Sequence, residues 1–376
     1  MKGSHMKTPM DALIAVSRRF GRDPAWLLAG GGNTSYKDDS TMWIKASGNS
    51  LATIEASGFC AMNRAKLADT WTTEYPVESK AREAAILADL MAARLPGHTS
   101  RPSVETLLHD LFPQAFVVHT HPGVINGLTC SRNGEARFRE LFGDEAVWVS
   151  CVDPGLVLAR EVKSVVDAFR GRTGRLPSIM FMQNHGLLVA AETPEGIEEI
   201  SGRVMAKLET LLDRMPALSV QAVPLSRLSG LTARLASLAP DGTVAIHHAD
   251  TEMLRLASSR KSFFPLSAPF TPDHIVYAGH EFLYVEETGE LEAAWKSYHE
   301  RNLVDPRIVF VRDLGAFALA AKASVAETAM LFFIDACSIA VFAESFGGVS
   351  HMPKERVDFI RDWEVEHYRA KASLGA

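Results

Sequence analysis

The chain has 376 residues, with 39 lysines and arginines against 45 aspartates and glutamates, giving a formal net charge of −6. Hydrophobic residues make up 47% and charged residues 22%, an ordinary balance for a soluble globular protein that exceeds one core and suggests two domains. The acidic balance, with no Lys/Arg-rich run, argues against nucleic acid and anionic membranes as partners, and no apolar stretch reads as the roughly 20 residues of a membrane helix.

The opening "MKGSHMK" reads as an expression-vector remnant without a signal-peptide segment behind it, so His5 is set aside. Residues 9–28 then read as a helix, with Leu13, Ile14, Val16 and Phe20 at helical spacing and Asp11 as a cap. "LLAGGGNTSY" breaks the periodicity, and "TMWIKASG" alternates like a strand. Two helices follow. "KAREAAILADLMAARL" (80–95) is stopped by Pro96-Gly97, and "PSVETLLHDLF" (102–112) has Pro102 near its start and Ser103 as N-cap. "FVVHTHPGVI" (116–125) is a strand, and "AVWVSCV" and "SIMFMQNHGLLVAA" are further strands. Residues 193–215 form a long amphipathic helix opened by Thr193-Pro194. The two prolines and three serines of 216–230 mark a boundary, predicting domains at 8–220 and 226–376. Beyond it, "HIVYAGHEFLYVEE" and "RIVFVRDLGAFALAA" read as strands and "SVAETAMLFFIDACSIAVFAESF" as a helix. Strands interleaved with helices throughout indicate an α/β protein. Cys60, Cys130, Cys151 and Cys337 are scattered without C-x-x-C, which suggests a reducing, cytoplasmic setting.

The chemistry gathers around histidines. On a strand, His119 and His121 point to one face while Thr120 points away. Alone, H-x-H reads equally as two hydrogen-bonded histidines on a half-buried sheet. His185, beside a glycine in "FMQNHGLL", supplies a third imidazole, and three imidazoles with one open position describe a catalytic zinc site. Glu105 and His109 are four apart on one helix face, which makes Glu105 an acid/base, an orienting carboxylate or a solvated one. "GGGNTSYK" (30–37) matches no nucleotide motif; its composition suits an anion cradle or, equally, a tight turn capped by Asn33 and Ser35.

In order, "GGGNTSYK", "IKASG", "PSVETLLH", "VVHTHP" and "MQNHGLL" resemble the class II aldolase/adducin family over residues 11–215. More closely, they resemble the aldolase portion of bifunctional rhamnulose-1-phosphate aldolase/short-chain dehydrogenase proteins, as does "TPDHIVYAG" (271–279). The resemblance implies a three-layer αβα domain with a mixed, largely antiparallel sheet, followed by a smaller α/β domain. It implies zinc, or another divalent ion, on His119, His121 and His185, with Glu105 as catalytic acid/base at a pKa raised by burial. The substrate phosphate would fall to Asn33, Thr34, Ser47, Gly48 and Ser103, with Val104 replacing a second serine. The tyrosine acid used by short sugar-phosphate aldolases has no counterpart between Tyr75 and Tyr277; the nearest aromatic is Trp148. The implied reaction is retro-aldol cleavage of a ketose 1-phosphate through a metal-stabilised enediolate, with epimerase, dehydratase or decarboxylase as alternatives and an adducin-like scaffold as the non-catalytic one. A homo-oligomer, commonly a tetramer, is implied as well.

One internal pattern is independent of the resemblance. Residues 178–199 align without gaps on 307–328, an offset of 129 residues, with five identities. That suggests either convergent patterning of two ordinary strand–turn–helix units or a degenerate repeat; in either case the second segment binds no metal, because His185 falls on Leu314 and no H-x-H precedes it.

Overall fold

The computed structural model describes residues 8–364 and 368, so the opening segment with His5 and the end of the second expected domain lie outside the described residues. Contacts divide the described residues into two compact units: 8–125, 135–210 and those from 363 onward in the first, and 126–134 and 211–362 in the second. Where the sequence suggested one cut between 220 and 226, the units exchange segments.

The first unit is built on seven strands: β1 (Asn33–Lys37), β2 (Thr41–Lys45), β3 (Phe59–Asn63), β4 (Phe116–Thr120), β5 (Val147–Val149), β6 (Ile179–Met182) and β7 (Gly186–Ala191). Their order is β3-β2-β1-β4-β7-β6-β5, antiparallel throughout except for the β5–β6 pair. Period-2 alternation sends Val117, Leu188, Met180 and Met182 to one face, where they pack with Ile86, Leu90, Leu107, Leu108 and Val162 from the helices Ser79–Ala92, Thr106–Leu111 and Leu156–Thr173. The helices Pro9–Gly21 and Pro194–Glu209 cover β1, β4 and β7. This is the three-layer αβα arrangement with a mixed, largely antiparallel sheet.

Helix ends correct the sequence reading in detail. Thr8, not Asp11, is the first N-cap: its hydroxyl accepts from the Asp11 N–H at 3.1 Å while the Asp11 carboxylate accepts from the Thr8 N–H at 3.0 Å. That helix stops at Gly21 rather than 28, with Arg22 as its C-cap, and Gly21 packs so closely on the Leu51 and Ala52 backbone that a Cβ would lie 2.4 Å from it. The 102–112 helix begins only at Thr106, and the long helix capped by Thr193 ends at Glu209, short of 215.

The second unit carries β8 (Val244–His248), β9 (Leu283–Val285), β10 (Ile308–Val311) and β11 (Gly315–Ala320) in the order β8-β11-β10-β9. One face of this sheet packs Val309, Val311, Phe317 and Leu319 against Leu231, Leu235, Trp295 and Tyr298 from the helices Leu225–Leu238 and Leu291–Asn302; the helix Ala323–Glu344 lies against β8, β10 and β11. Two expectations fail here. The stretch read as a strand from His274 is a π-helical turn, His274–Ala278, with every residue buried, and the strand starts only at Leu283. A short apolar run buried on all sides has no periodicity to separate the two conformations. The helix Ala323–Glu344 is long and apolar enough to cross a membrane by length and composition, contrary to the sequence reading; 67% of its most apolar window is buried, as in the core helix of a sheet-backed layer.

The four strands β8-β11-β10-β9 repeat the order and relative directions of β4-β7-β6-β5. The hairpins share a register: Ile179 faces Val189 and Met182 faces Gly186, as Ile308 faces Ala318 and Val311 faces Gly315. Asn184 (φ 54°) and Asp313 (φ 60°) hold the same left-handed turn position, and the following helices start at Pro194 and Ala323. All of these pairs are separated by the 129 residues of the sequence alignment.

β1 also buries a cation. Lys37 is 3% exposed, and among the described residues its Nζ has no hydrogen-bond partner. Burial lowers its pKa from 10.5 to about 7, outweighing the pull of Asp110. Between those values the unfolded chain holds more protons than the folded one, so this group makes stability rise with pH from about 7 to 10.5; below 7 its full cost is present. Lys37→Met is therefore expected to stabilise the chain at pH 6 by on the order of a few kcal/mol, with the gain shrinking towards pH 10. Urea unfolding of both proteins at the two pH values checks this; a gain independent of pH would refute the assignment.

Candidate metal centre

The centre forms where β4 ends. β4 lies between β1 and β7, with His119 opposite Asn33 on one side and Leu188 on the other. His121 follows the strand, its N–H donating to the Trp26 carbonyl at 3.1 Å. The β6–β7 hairpin delivers His185: Asn184 takes the left-handed conformation and the His185 N–H donates to the Met182 carbonyl at 3.1 Å. Gly186 is required at the next position, since a Cβ would stand 2.3 Å from the Thr120 carbonyl and 2.9 Å from the His121 ring.

The three Nε2 atoms converge. His121 and His119 Nε2 are 2.9 Å apart, His119 and His185 Nε2 are 3.3 Å apart, and ligand atoms of all three residues fit within 4.8 Å. The buried His119 ring has its Nδ1 3.0 Å from the Leu187 carbonyl. A carbonyl only accepts, so Nδ1 carries the proton and Nε2 presents a lone pair inward. Metal–nitrogen bonds of 2.0–2.1 Å in tetrahedral geometry separate nitrogens by about 3.4 Å, so the donor set fits a divalent ion.

Glu105 stands beside it. It occupies the N-cap position of Thr106–Leu111, where its N–H donates to Ser103 Oγ at 3.2 Å. Its Oε1 is 3.3 Å from His185 Nε2 and 3.6 Å from His119 Nε2, and Asn33 Nδ2 donates to Oε2. Burial pushes the carboxyl pKa up, but His119, His185, His109 and His121 together pull it down to about 2. The raised pKa expected from burial is thus reversed by the surrounding imidazoles, and Glu105 rests as a carboxylate. One turn on, His109 is buried, and burial lowers its pKa to about 3; this neutral ring meets Ser35 Oγ through Nδ1 at 2.8 Å.

The expected phosphate residues divide. The Asn33 amide serves Glu105. Thr34, on the other face of β1, is fully buried with its hydroxyl 2.7 Å from Ser17 Oγ, so its side chain is turned away from Asn33 and Glu105. The Ser47 N–H donates to the Arg101 carbonyl at 2.9 Å and its hydroxyl to the Pro102 carbonyl at 3.3 Å, which joins Ser47 and Gly48 (φ 85°) to the segment carrying Ser103 and Glu105. Val104 instead lines an apolar cleft with Ile86, Leu90 and Leu107, and Trp148 packs on Phe138 with ring centroids 5.4 Å apart. Sequence reasoning left Lys45 without a direction. Its buried Nζ donates to the Gly30 and Gly32 carbonyls, both at 2.8 Å, and so pins the glycine turn against the end of β2. Gly32 (φ 68°) has no room for a Cβ, which would lie 2.6 Å from the His119 carbonyl.

A three-layer αβα domain with three convergent histidines and a carboxylate at a strand end is the architecture of a class II aldolase domain. Residues 11–197 match the model for the Class II Aldolase and Adducin N-terminal domain, and this half of the chain belongs to that family. Over an alignment of 425 residues covering 98% of the chain, it is 21% identical to "Uncharacterized oxidoreductase YuxG" of Bacillus subtilis (strain 168). The alignment covers 59% of that protein, so the chain spans about three fifths of the length of this relative. Among solved structures, it is similar to the N-terminal class II aldolase domain of a conserved protein from Thermoplasma acidophilum (24% identity, 56% of this chain and 96% of that one, TM-score 0.46). It is also similar to YgbL, a putative aldolase/epimerase/decarboxylase from Escherichia coli (14% identity, 58% and 94%, TM-score 0.38).

Proposed function

We propose that the chain is a zinc-dependent aldolase that cleaves a ketose 1-phosphate between the carbon next to the ketone and its hydroxyl-bearing neighbour. The observation that carries this reading is the convergence of the His119, His121 and His185 donors with the Glu105 carboxylate 3.3–3.6 Å from two of them. A divalent ion held by those histidines would supply the positive charge that stabilises negative charge building on the substrate oxygens. Glu105 rests ionised, so it is the group to take up the hydroxyl proton as the bond breaks and to return a proton to the carbon left behind. Asn33 orients its carboxylate, and the Ser103 hydroxyl holds its backbone N–H. Ser47, Gly48 and Ser103 then form the phosphate side, where hydroxyl and backbone donors rather than a cation meet the charge, because Lys45 is committed to the glycine carbonyls.

The kinship with aldolase–dehydrogenase fusions is supported by the longer relative, an oxidoreductase by name. The second unit is read as a degenerate copy of the β4–β7 half, supported by the shared strand order and the constant 129-residue register. By strand pairing, which sets His247 opposite Phe317 as His119 is set opposite Leu188, His247 takes the place of His119 at an offset of 128 residues, but its Nε2 is 2.6 Å from the Leu314 carbonyl, and Ala249 and Leu314 stand where His121 and His185 do.

The test is turnover of a panel of ketose 1-phosphates and their unphosphorylated parents, with chelator and after zinc is restored. The expected result is carbon–carbon cleavage of a phosphorylated member at least about a hundredfold faster than its parent, abolished by chelator and recovered with zinc. Equal turnover of phosphorylated and free sugars would refute the phosphate site, and a chelator-sensitive product with its carbon chain intact would replace the aldolase by an epimerase or dehydratase.

A further inference from the structure

The second unit holds a cleft of about 280 Å³ whose walls are formed largely by Phe263, Phe264, Phe282 and Tyr284 and whose charged groups are Arg260, Glu281 and Arg301. The last two neutralise each other. Arg301 Nη2 donates to Glu281 Oε1 at 2.7 Å, and Asn302 Nδ2 donates to Oε2 at 3.0 Å. Arg260 is different. Among the described residues it has no carboxylate within ion-pair distance, and its guanidinium lies over the Tyr284 ring, 5.4 Å from the centroid. The Tyr284 ring is itself fixed between Phe263, at 4.8 Å, and Phe310, stacked at 6.1 Å with a 4° interplanar angle. Tyr284 is 5% exposed, and its hydroxyl has no hydrogen-bond partner among the described residues. Burial raises its pKa, so the hydroxyl keeps a proton to donate.

An unmatched arginine, a buried unpaired donor and three apolar rings around one cleft are the ingredients of a small-molecule site, at the small end of the usual size range. We propose that this cleft binds a small monocarboxylic acid with an apolar, preferably aromatic, body. The carboxylate pairs with Arg260 and accepts from Tyr284, and the body lies against Phe263, Phe264 and Phe282. One free guanidinium matches one negative charge; a phosphate dianion would need a second cation, and Arg301 is already satisfied by Glu281. The assignment does not depend on the reaction at the three-histidine centre, which belongs to the other unit.

Calorimetric titration of the full chain with acetate, isovalerate, benzoate and phenylacetate, alongside 2-phenylethanol and inorganic phosphate, tests it. The expected result is saturable binding of an aromatic acid below about 1 mM, with acetate and 2-phenylethanol much weaker. Arg260→Gln, at an exposed side chain, should weaken that binding about tenfold or more, and Tyr284→Phe severalfold, with circular dichroism unchanged. The proposal is overturned if no acid of the panel binds below about 10 mM, if 2-phenylethanol or phosphate binds as well as the aromatic acids, or if Arg260→Gln leaves binding unchanged.

Discussion

His185→Ala is expected to reduce bound divalent metal from about one ion per chain to near zero and activity to background, while the fold survives. The ring contributes one of three inward-facing nitrogens, and two imidazoles alone do not make the usual set of three protein ligands. The hairpin should tolerate the change, because the turn rests on Asn184, Gly186 and the backbone N–H of residue 185 rather than on the ring. The stability cost should stay near 1 kcal/mol, the ordinary size for a partly exposed site. His247→Ala is the matched control. His247 occupies the corresponding strand position in the second unit with its Nε2 against the Leu314 carbonyl, so metal content and activity should be unaffected. Elemental analysis after dialysis, with circular dichroism and urea unfolding, reads all three quantities. Full metal occupancy in His185→Ala would remove this residue from the centre, and metal loss in His247→Ala would place the ion in the second unit.

How much of this was legible beforehand follows from which interactions are local. Strand alternation alone puts His119 and His121 on one side, and the flanking glycine marks the turn that presents His185. Both features survive in three dimensions because the sheet imposes them. The same alternation separates Thr34 from Asn33, yet the motif carried both to the phosphate; the structure follows the period of the strand and pairs Thr34 with Ser17 in the layer behind. The partnership of Asn33 with Glu105 spans 72 residues and has no local signal. The shift of Glu105 likewise comes from neighbours that only the fold assembles: burial and four imidazoles act against each other, and a chain read linearly offers the burial but not the convergence. His274–Ala278 was opaque for the opposite reason, since a fully apolar segment leaves no pattern to read. The offset of 129 residues was visible as five identities, and its meaning lies in what identities do not record: a left-handed residue at the same turn position and one register in two hairpins.

Glu105→Gln separates chemistry from metal holding and should produce the second large effect. Glutamine keeps the size of the side chain and an oxygen that can accept from Asn33 Nδ2, so the local arrangement of β1, β4 and the 106–111 helix should persist. Its carbonyl oxygen is a far weaker base than a carboxylate, and its nitrogen cannot accept a proton in the reaction. Removing a general acid/base typically costs 10²–10⁴ in rate, and the loss is expected in kcat with a small change in KM, because the phosphate residues and the three histidines are untouched. Metal content should remain at about one ion per chain, since the three imidazoles already supply the usual three protein ligands of a catalytic ion. Steady-state kinetics on the responding ketose 1-phosphate, paired with elemental analysis of the same preparation, makes the distinction. Activity within about threefold of the native chain would show that Glu105 moves no proton in the slow step. Loss of the metal together with activity would reassign Glu105 as a ligand or a support for one, and the proton transfer would then have to be sought elsewhere on the strand ends around His119.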